Sequence, residues 1–318
     1  MSLPAVSRVV DPAPASDPAA MPHLVLQVPA GSSLDPALLA QLVEQLRARR
    51  LQPLRPTHPQ HDAAPGTQTA RLCDLGVDEQ AARALLAPLA QRHGFDWALL
   101  APGLRLRDFR LLVLDMDSTL VNVETIDELG SATGLKARIA EITEAAMRGE
   151  IADYAESLRR RLALLAGTPE SVLEQVWQRM ELNPGAEPLI EGAKSAGLQV
   201  ILATGGFTWF AERLQRRLGL HGVCANELDI ADGRLTGHAR EPIVDGAAKR
   251  RALLDACARL GCEPHRAIAI GDGANDLPML DAAGLGVAYH GKPAVQQAAD
   301  VALNHCGLDG VLRLFEDQ

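Results

Sequence analysis

The sequence predicts an α/β protein: a doubly wound, Rossmann-like parallel sheet with an inserted helical cap, preceded by a smaller α+β ferredoxin-like unit. Three observations predict it. From residue 110 on, the short continuous apolar runs LLVL (111–114), LQVILA (198–203), AIAI (267–270) and LGVAY (285–289) are separated by helical segments. Runs apolar at every position suit strands buried on both faces, as in a parallel sheet between two helix layers. The long stretch between the first and second runs reads as helical throughout and exceeds a simple crossover, so about 123–190 is expected to be a cap. Finally, residues 23–100 order their elements as β-α-β-β-α-β, the ferredoxin-like arrangement.

In chain order, residues 1–21 carry Pro4, Pro12, Pro14 and Pro18 among Ala and Ser, the composition of a disordered tail. Order is expected from His23. LVLQV (24–28) is a strand. LDPALLAQLVEQLRARR (34–50) has helical periodicity, with Asp35 as cap and Pro36 in the first turn. Strands follow near 51–56 and 67–74. VDEQAARALLAPLAQRHG (77–94) is a second helix closed by Gly94, and FDWALLA (95–101) is a last strand. The ferredoxin-like unit is thus expected over 22–105 and the larger unit over 106–318. Asp232-Gly233, between ELDI and RLTG, is a hairpin turn dipeptide.

The bulk properties narrow the function. With 318 residues, the chain has room for roughly two domains of ~150 each. A hydrophobic content of 47% and a charged content of 22% provide for a buried core. The net charge of −9 argues against nucleic acid as the main partner. No apolar run approaches the ~20 residues of a membrane span, and no charged segment leads into an apolar one as in a secretory signal. Cys73, Cys224, Cys257, Cys262 and Cys306 are odd in number and form no CxxC pair. They read as reduced thiols, mostly buried, which fits a cytoplasmic protein.

Three sheet runs end in polar residues: LLVL at Asp115, VILA at Thr204-Gly205-Gly206, and AIAI at Gly271-Asp272. In an open parallel sheet the carboxyl ends of the strands share one edge, and ligands bind there. Residues far apart in sequence are therefore expected to converge.

Asp115-Met116-Asp117-Ser118-Thr119 resembles the first motif, DxDx[ST], of the haloacid dehalogenase-like phosphatases. ATGGF (203–207) is similar to their second motif, Lys249 to their third, and GDGANDLPML (271–280) to their fourth. The resemblance is closer still to the phosphoserine phosphatase family, whose pattern VETIDELG, ITEAAMRGEI, ESLRRRLALLAG, ATGGFTWFAERL and ANELDI follow in order over about 110–318. It implies an Mg²⁺-dependent phosphomonoesterase that converts O-phospho-L-serine to L-serine and phosphate, the last step of serine biosynthesis. Family members often carry an ACT domain, a regulatory ferredoxin-like fold, at the N-terminus. Residues 23–100 hold no sharp ligand motif, so structure, pairing into a homodimer, and amino-acid sensing all stay open.

The residues carry this chemistry on their own terms. Asp115, at a strand end, is the natural nucleophile for an aspartyl-phosphate, which splits one hard hydrolysis into two steps. Asp117, one pleat further and on the same side, can protonate the leaving oxygen and then take a proton from water. The alternative is that Asp117 caps a turn with Ser118 and Thr119. A carboxylate facing a phosphate dianion needs a cation, and Mg²⁺ with oxygen ligands is the usual answer. Its expected ligands are Asp115, Asp272 and the Asp117 backbone carbonyl. Asp276 is expected to hold a bound water or to orient Lys249, and Asn275 to play a similar part toward substrate. GDGAND also reads as a strand-to-helix turn with acidic caps, which explains its glycines but not two aspartates at one edge.

Gly205 and Gly206 let the backbone approach a phosphate, ahead of helix N–H groups from about Thr208. Thr204 can donate its hydroxyl where the family more often has serine. Lys249 can neutralise phosphoryl charge, or can be a solvated helix lysine beside Arg250 and Arg251. In the cap, Ile151, Tyr154, Leu158, Leu162 and Leu165 form an apolar stripe. At ~100° per residue Arg161 falls within about 60° of its centre, while Arg159 and Arg160 point away. An inward arginine needs an anionic partner. By resemblance this is the substrate carboxylate, held bidentate, with Glu124 on the ammonium. A Glu–Arg pair within the chain, or Glu124 as a first-turn acid, are the alternatives. Tyr154 and Met147 are pocket walls or core.

Rival readings are a phosphatase or phosphotransferase for another small metabolite, a dehalogenase, and a silent amino-acid-binding regulator. Asp117 and the complete Mg²⁺ motif argue against the second. A competent residue at each catalytic position argues against the third.

Overall fold

The computed structural model describes residues 22–54, 68–148, 150–151 and 153–317; the tail expected over 1–21 and the end of the strand expected near 51–56 lie outside them. The N-terminal elements are β1 (His23–Val28), α1 (Pro36–Gln45), β2 (Arg50–Leu54), β3 (Gln68–Cys73), α2 (Glu79–His93) and β4 (Asp96–Leu100), in the expected order. Asp35 caps α1 by accepting from the Ala37 N–H at 2.8 Å. Gly94, at φ 68°, closes α2. α1 stops at Gln45, short of the periodicity that runs on to 50. Arg47 turns left-handed at φ 51°, and the Gly76 N–H bonds the Leu46 carbonyl, so a tertiary contact ends the helix. The antiparallel order is β2-β3-β1-β4. Leu24, Leu26, Leu72 and Leu99 on one sheet face pack with Leu38, Leu42 and Leu86 of the helices.

The remaining strands are β5 (Leu111–Leu114), β6 (Gln199–Phe207), β7 (Gly222–Asn226), β8 (Leu228–Ala231), β9 (Arg234–Ala239), β10 (Ala267–Gly271), β11 (Leu285–Tyr289) and β12 (Val301–Leu303). Between β5 and β6 come α3 (Thr125–Thr133), α4 (Lys136–Met147), α5 (Tyr154–Ala163), α6 (Ser171–Trp177) and α7 (Ala186–Ser195). After them come α8 (Thr208–Leu218), α9 (Gly246–Leu260), α10 (Leu277–Ala282) and α11 (Pro293–Ala298). β12-β11-β10-β5-β6-β7 form a parallel sheet with β5 paired to β10 (Leu112↔Ile268) and to β6 (Leu112↔Val200). Leu112 and Leu114 enter the core on one face, Leu111 and Val113 that on the other. That two-sided burial is why the run is apolar at every position.

One feature links the two expected units. β4 pairs antiparallel with β12 (Trp97↔Ala302), so the N-terminal strands and the parallel sheet form one ten-stranded sheet. The turn at Asp232-Gly233 forms as expected, with φ 49° and 69°, the pattern of a tight hairpin. Its β8–β9 hairpin stands apart from the main sheet and packs against α5, bridging Arg234 to Pro169. No described helix is long and apolar enough to cross a membrane, and all five cysteines are free.

Candidate active site

β5 delivers Asp115 to the carboxyl edge, where its N–H donates to the Ile270 carbonyl of β10 at 2.9 Å. Asp117 reaches the same edge, though not along a strand pleat. The extended run ends at Leu114, and Met116–Leu120 form a kinked turn with Ser118 at φ 56°. β6 is longer than its apolar run and carries Thr204-Gly205-Gly206 as a strand extension, with an irregular register against β7. β10 delivers Asp272, and the turn after it delivers Asn275 and Asp276.

Lys249 sits at the centre. It is fully buried, and its Nζ lies 2.8 Å from Asp115 Oδ2 and 2.7 Å from Asp276 Oδ1. It shares the inner stripe of α9 with Leu253 and Ala256, so the solvated-lysine alternative is overturned. Its two carboxylate partners outweigh the desolvation and hold its pKa above the ordinary value. Asp115 Oδ1 accepts from the Met116 N–H at 2.7 Å. Asp276 Oδ2 accepts from the Gly273 N–H at 3.0 Å, so this residue orients the lysine.

Asp117 points elsewhere. Its Oδ2 accepts from both the Thr125 N–H (3.0 Å) and the Thr125 hydroxyl (2.7 Å). Its Oδ1 is buried with no partner among the described residues and lies beside Gly206. Burial, then Glu124 and Asp115, raise its pKa well above the ordinary range, so one oxygen is fixed and the other can carry a proton. Sequence reasoning missed Thr125. Its signal was a hydroxyl residue in the first turn of the helix after the motif.

The carboxylates of Asp115, Asp272 and Asp276 each place an oxygen within 4.8 Å of the others. Asp117 was expected to offer its backbone carbonyl to a metal, and its side chain is not part of that cluster. Burial, then Asp115 and Asp276, push Asp272 up to about 7. Asp276 rises to about 6 for the same reasons, against the opposing pull of Lys249. One lysine cannot balance three crowded carboxylates. An all-oxygen donor set with surplus negative charge fits a hard divalent cation.

Thr204 accepts from the Gly206 N–H at 2.9 Å and keeps its own proton to donate. The Gly205 carbonyl takes bonds from Asn226 Nδ2 (2.7 Å) and the Tyr154 hydroxyl (3.4 Å), and a Cβ on Gly205 would collide with that hydroxyl. Tyr154 therefore both joins the core and walls the site. Asn226, also missed, ties this strand extension to the Val244 N–H at 2.8 Å. Asn275 is half-buried in the turn beside Gly273.

On the cap side, Glu124 Oε1 accepts from the Ser118 hydroxyl at 2.6 Å. Its carboxyl is reachable by solvent yet crowded, and that partial desolvation raises its pKa against the Ser118 bond. Arg159 and Arg160 are exposed and paired with Glu241 and Glu156. Arg161 is half-buried and donates only its Nε, to the Ser157 carbonyl at 3.3 Å; among the described residues it forms no salt bridge. The Glu–Arg pair within the chain is therefore absent from these contacts. The side chain of Met147 lies outside what the structure describes.

The model of the haloacid dehalogenase-like hydrolase family matches residues 112–281. A phosphoserine phosphatase of Albidiferax ferrireducens is 53% identical over 221 residues, 68% of this chain and 93% of that protein. The crystal structure of a hydrolase of the same family from Salmonella enterica serovar Typhi superposes with a TM-score of 0.82 at 30% identity, covering 93% of this chain and 99% of that one. A probable phosphoserine phosphatase from Vibrio cholerae gives a TM-score of 0.74 at 34% identity, covering 93% and 86%.

Proposed function

This chain belongs to the haloacid dehalogenase-like hydrolase family, and from that premise we propose that it hydrolyses O-phospho-L-serine to L-serine and phosphate through an aspartyl-phosphate. The observation that carries the reading is the division of labour between the two aspartates. Asp115 is gripped by Lys249 and the Met116 N–H, while Asp117 is braced by Thr125 with its second oxygen free.

A carboxylate oxygen of Asp115 attacks phosphorus as the bond to the serine oxygen breaks. Asp117 gives its proton to that leaving oxygen. In the second half, Asp117 takes a proton from water as the water oxygen attacks the aspartyl-phosphate, which releases phosphate and restores Asp115. Lys249, the Thr204 hydroxyl and the Gly205 N–H stabilise charge on the phosphoryl oxygens. Mg²⁺ held by Asp115, Asp272 and the Asp117 carbonyl would supply Lewis-acid neutralisation of the phosphate. Asn275 assists phosphate binding from the turn after β10. The cap, about 123–190, reads the zwitterion: Glu124 takes the ammonium and Arg161 the carboxylate, with Tyr154 as a wall. The N-terminal 22–105 serves as an ACT-like domain that supports pairing into a homodimer. The reading sets the protein in the cytoplasm, at the last step of serine biosynthesis.

The test is phosphate release from O-phospho-L-serine and from an aryl phosphate, for the native chain and Arg161→Ala. A lost bidentate charge-assisted pair of roughly 3 kcal/mol lowers kcat/KM for phosphoserine about 100-fold. Aryl phosphate hydrolysis should stay within about 3-fold. Equal loss on both substrates would sink the cap assignment.

A pH effect also follows. Without metal, Asp272 (about 7) and Asp276 (about 6) keep protons that the unfolded chain, at 3.8, has released. The folded state then binds more protons between those values, so the metal-free protein loses stability as pH rises from about 4 through 7. A bound cation offsets that loss only where the carboxylates are ionised. The rise in Tm with saturating Mg²⁺ should therefore be larger at pH 8 than at pH 5.5 by scanning fluorimetry. Equal shifts would contradict the cluster as the Mg²⁺ site.

A further inference from the structure

We propose that Asp96, on the N-terminal strand β4, is a positioning residue for Asp272, acting through a hydrogen-bonded path that crosses the junction between the two halves of the sheet. The inference rests on the reading of Asp272 as a metal-holding carboxylate. Asp96 is 2% exposed and touches no residue of the reaction site. Its Oδ1 accepts from the Asn304 N–H at 2.8 Å, and its Oδ2 from the His305 N–H at 3.1 Å and the Cys306 N–H at 2.8 Å. Three successive backbone donors form a concavity of the kind that captures anions. Here the anion is supplied by the other half of the same chain.

From that loop two links run to the carboxyl edge. Asn304 Nδ2 donates to Gln296 Oε1 at 3.4 Å, and Gln296 Nε2 donates to the Gly291 carbonyl at 2.6 Å. In parallel, the His290 N–H donates to the Leu303 carbonyl at 2.7 Å. The 290–292 segment then closes on its target, since the Lys292 N–H donates to the Asp272 carbonyl at 3.1 Å. A Cβ on Gly291 would stand 3.3 Å from that carbonyl, so the two backbones are in contact. Among the described residues, the Asp272 side chain has no bond apart from a long one from Thr119 at 3.4 Å. Its placement thus depends on its backbone, and Asp96 braces the loop that braces it.

The experiment uses the full chain with Asp96→Asn, Gln296→Leu and the double variant. Asparagine puts N–H donors where only acceptors fit. Mg²⁺ binding is read by titration calorimetry without substrate, alongside kcat and KM for phosphoserine and Tm. Outer partners of metal ligands typically carry 10–100-fold in affinity. We expect the Kd for Mg²⁺ to rise about 10-fold in each single variant, with the double variant no weaker than the worse single one. A lower Tm with native Mg²⁺ affinity in Asp96→Asn overturns the proposal, and multiplicative losses in the double variant overturn the shared path. Should Asp96→Asn fail to fold, Gln296→Leu decides alone, and native affinity there overturns the proposal. A native chain that binds Mg²⁺ but turns over no phosphoserine would refute the assigned reaction and leave this inference to the binding data. A native chain that does both, with variants identical to it, would refute this inference only.

Discussion

Asp115→Asn should abolish phosphoserine turnover, lowering kcat by about 10³-fold or more, the scale seen when a covalent nucleophile is removed. The amide keeps the size of the carboxyl and can still accept from the Met116 N–H, which sits on Oδ1 at 2.7 Å. It lacks the charge that faces Lys249 at 2.8 Å and the nucleophilic oxygen. Phosphate release is one readout. Trapping is the other: after acid quench, a labelled phosphoenzyme should accumulate in the native chain and be absent from the variant. A variant that retains more than about a tenth of native kcat would move the nucleophile elsewhere and remove the basis of the mechanism.

Lys249→Met should be the most damaging change to the fold within the site. The lysine is fully buried between Asp115 and Asp276. Removing one member of such a group leaves the opposite charges uncompensated, at a cost of roughly 3–5 kcal/mol. Protonating the carboxylates relieves part of that cost, but a protonated Asp115 is no nucleophile, so activity should vanish along with stability. Urea unfolding gives the first quantity and phosphate release the second. Added Mg²⁺ should restore part of the stability and none of the turnover. An unchanged urea midpoint would show that the lysine does not hold the two carboxylates together. Arginine is a poor substitute, because a planar fork cannot occupy the place of a point charge enclosed on all sides.

Much of this architecture was legible in the sequence, for physical reasons. β5, β6, β10 and β11 announce themselves because burial on both faces demands apolar residues at each position. The 3.6-residue period alone separates the half-buried Arg161 from the exposed Arg159 and Arg160. Lys249 was identified by its place in a motif. The periodicity held a second signal, since it shares its stripe with Leu253 and Ala256. Other features left no trace. β12 has three residues, and β7 is only half-buried at four of its five positions. Asp96 looks like any acid opening a strand, because its partners are backbone N–H groups with no sequence signature. Thr125 and Asn226 act through a kinked turn and an irregular register, both set by tertiary packing. The end of α1 was misjudged because a contact from Gly76, far along the chain, overrode a helical pattern.

The junction of β4 with β12 also sets the order of assembly. β1–β4 can pair among themselves, yet the outer side of β4 must wait for residues 301–303, far along the chain. The central β5 likewise gains β6 well before it gains β10. Until then β4 and β5 each present an unpaired edge, the kind of surface that recruits neighbouring chains. Such distant pairings make for slow closure. Removing β12 should therefore reach back to β4, so that a chain cut before residue 300 yields more aggregate on expression than the uncut chain.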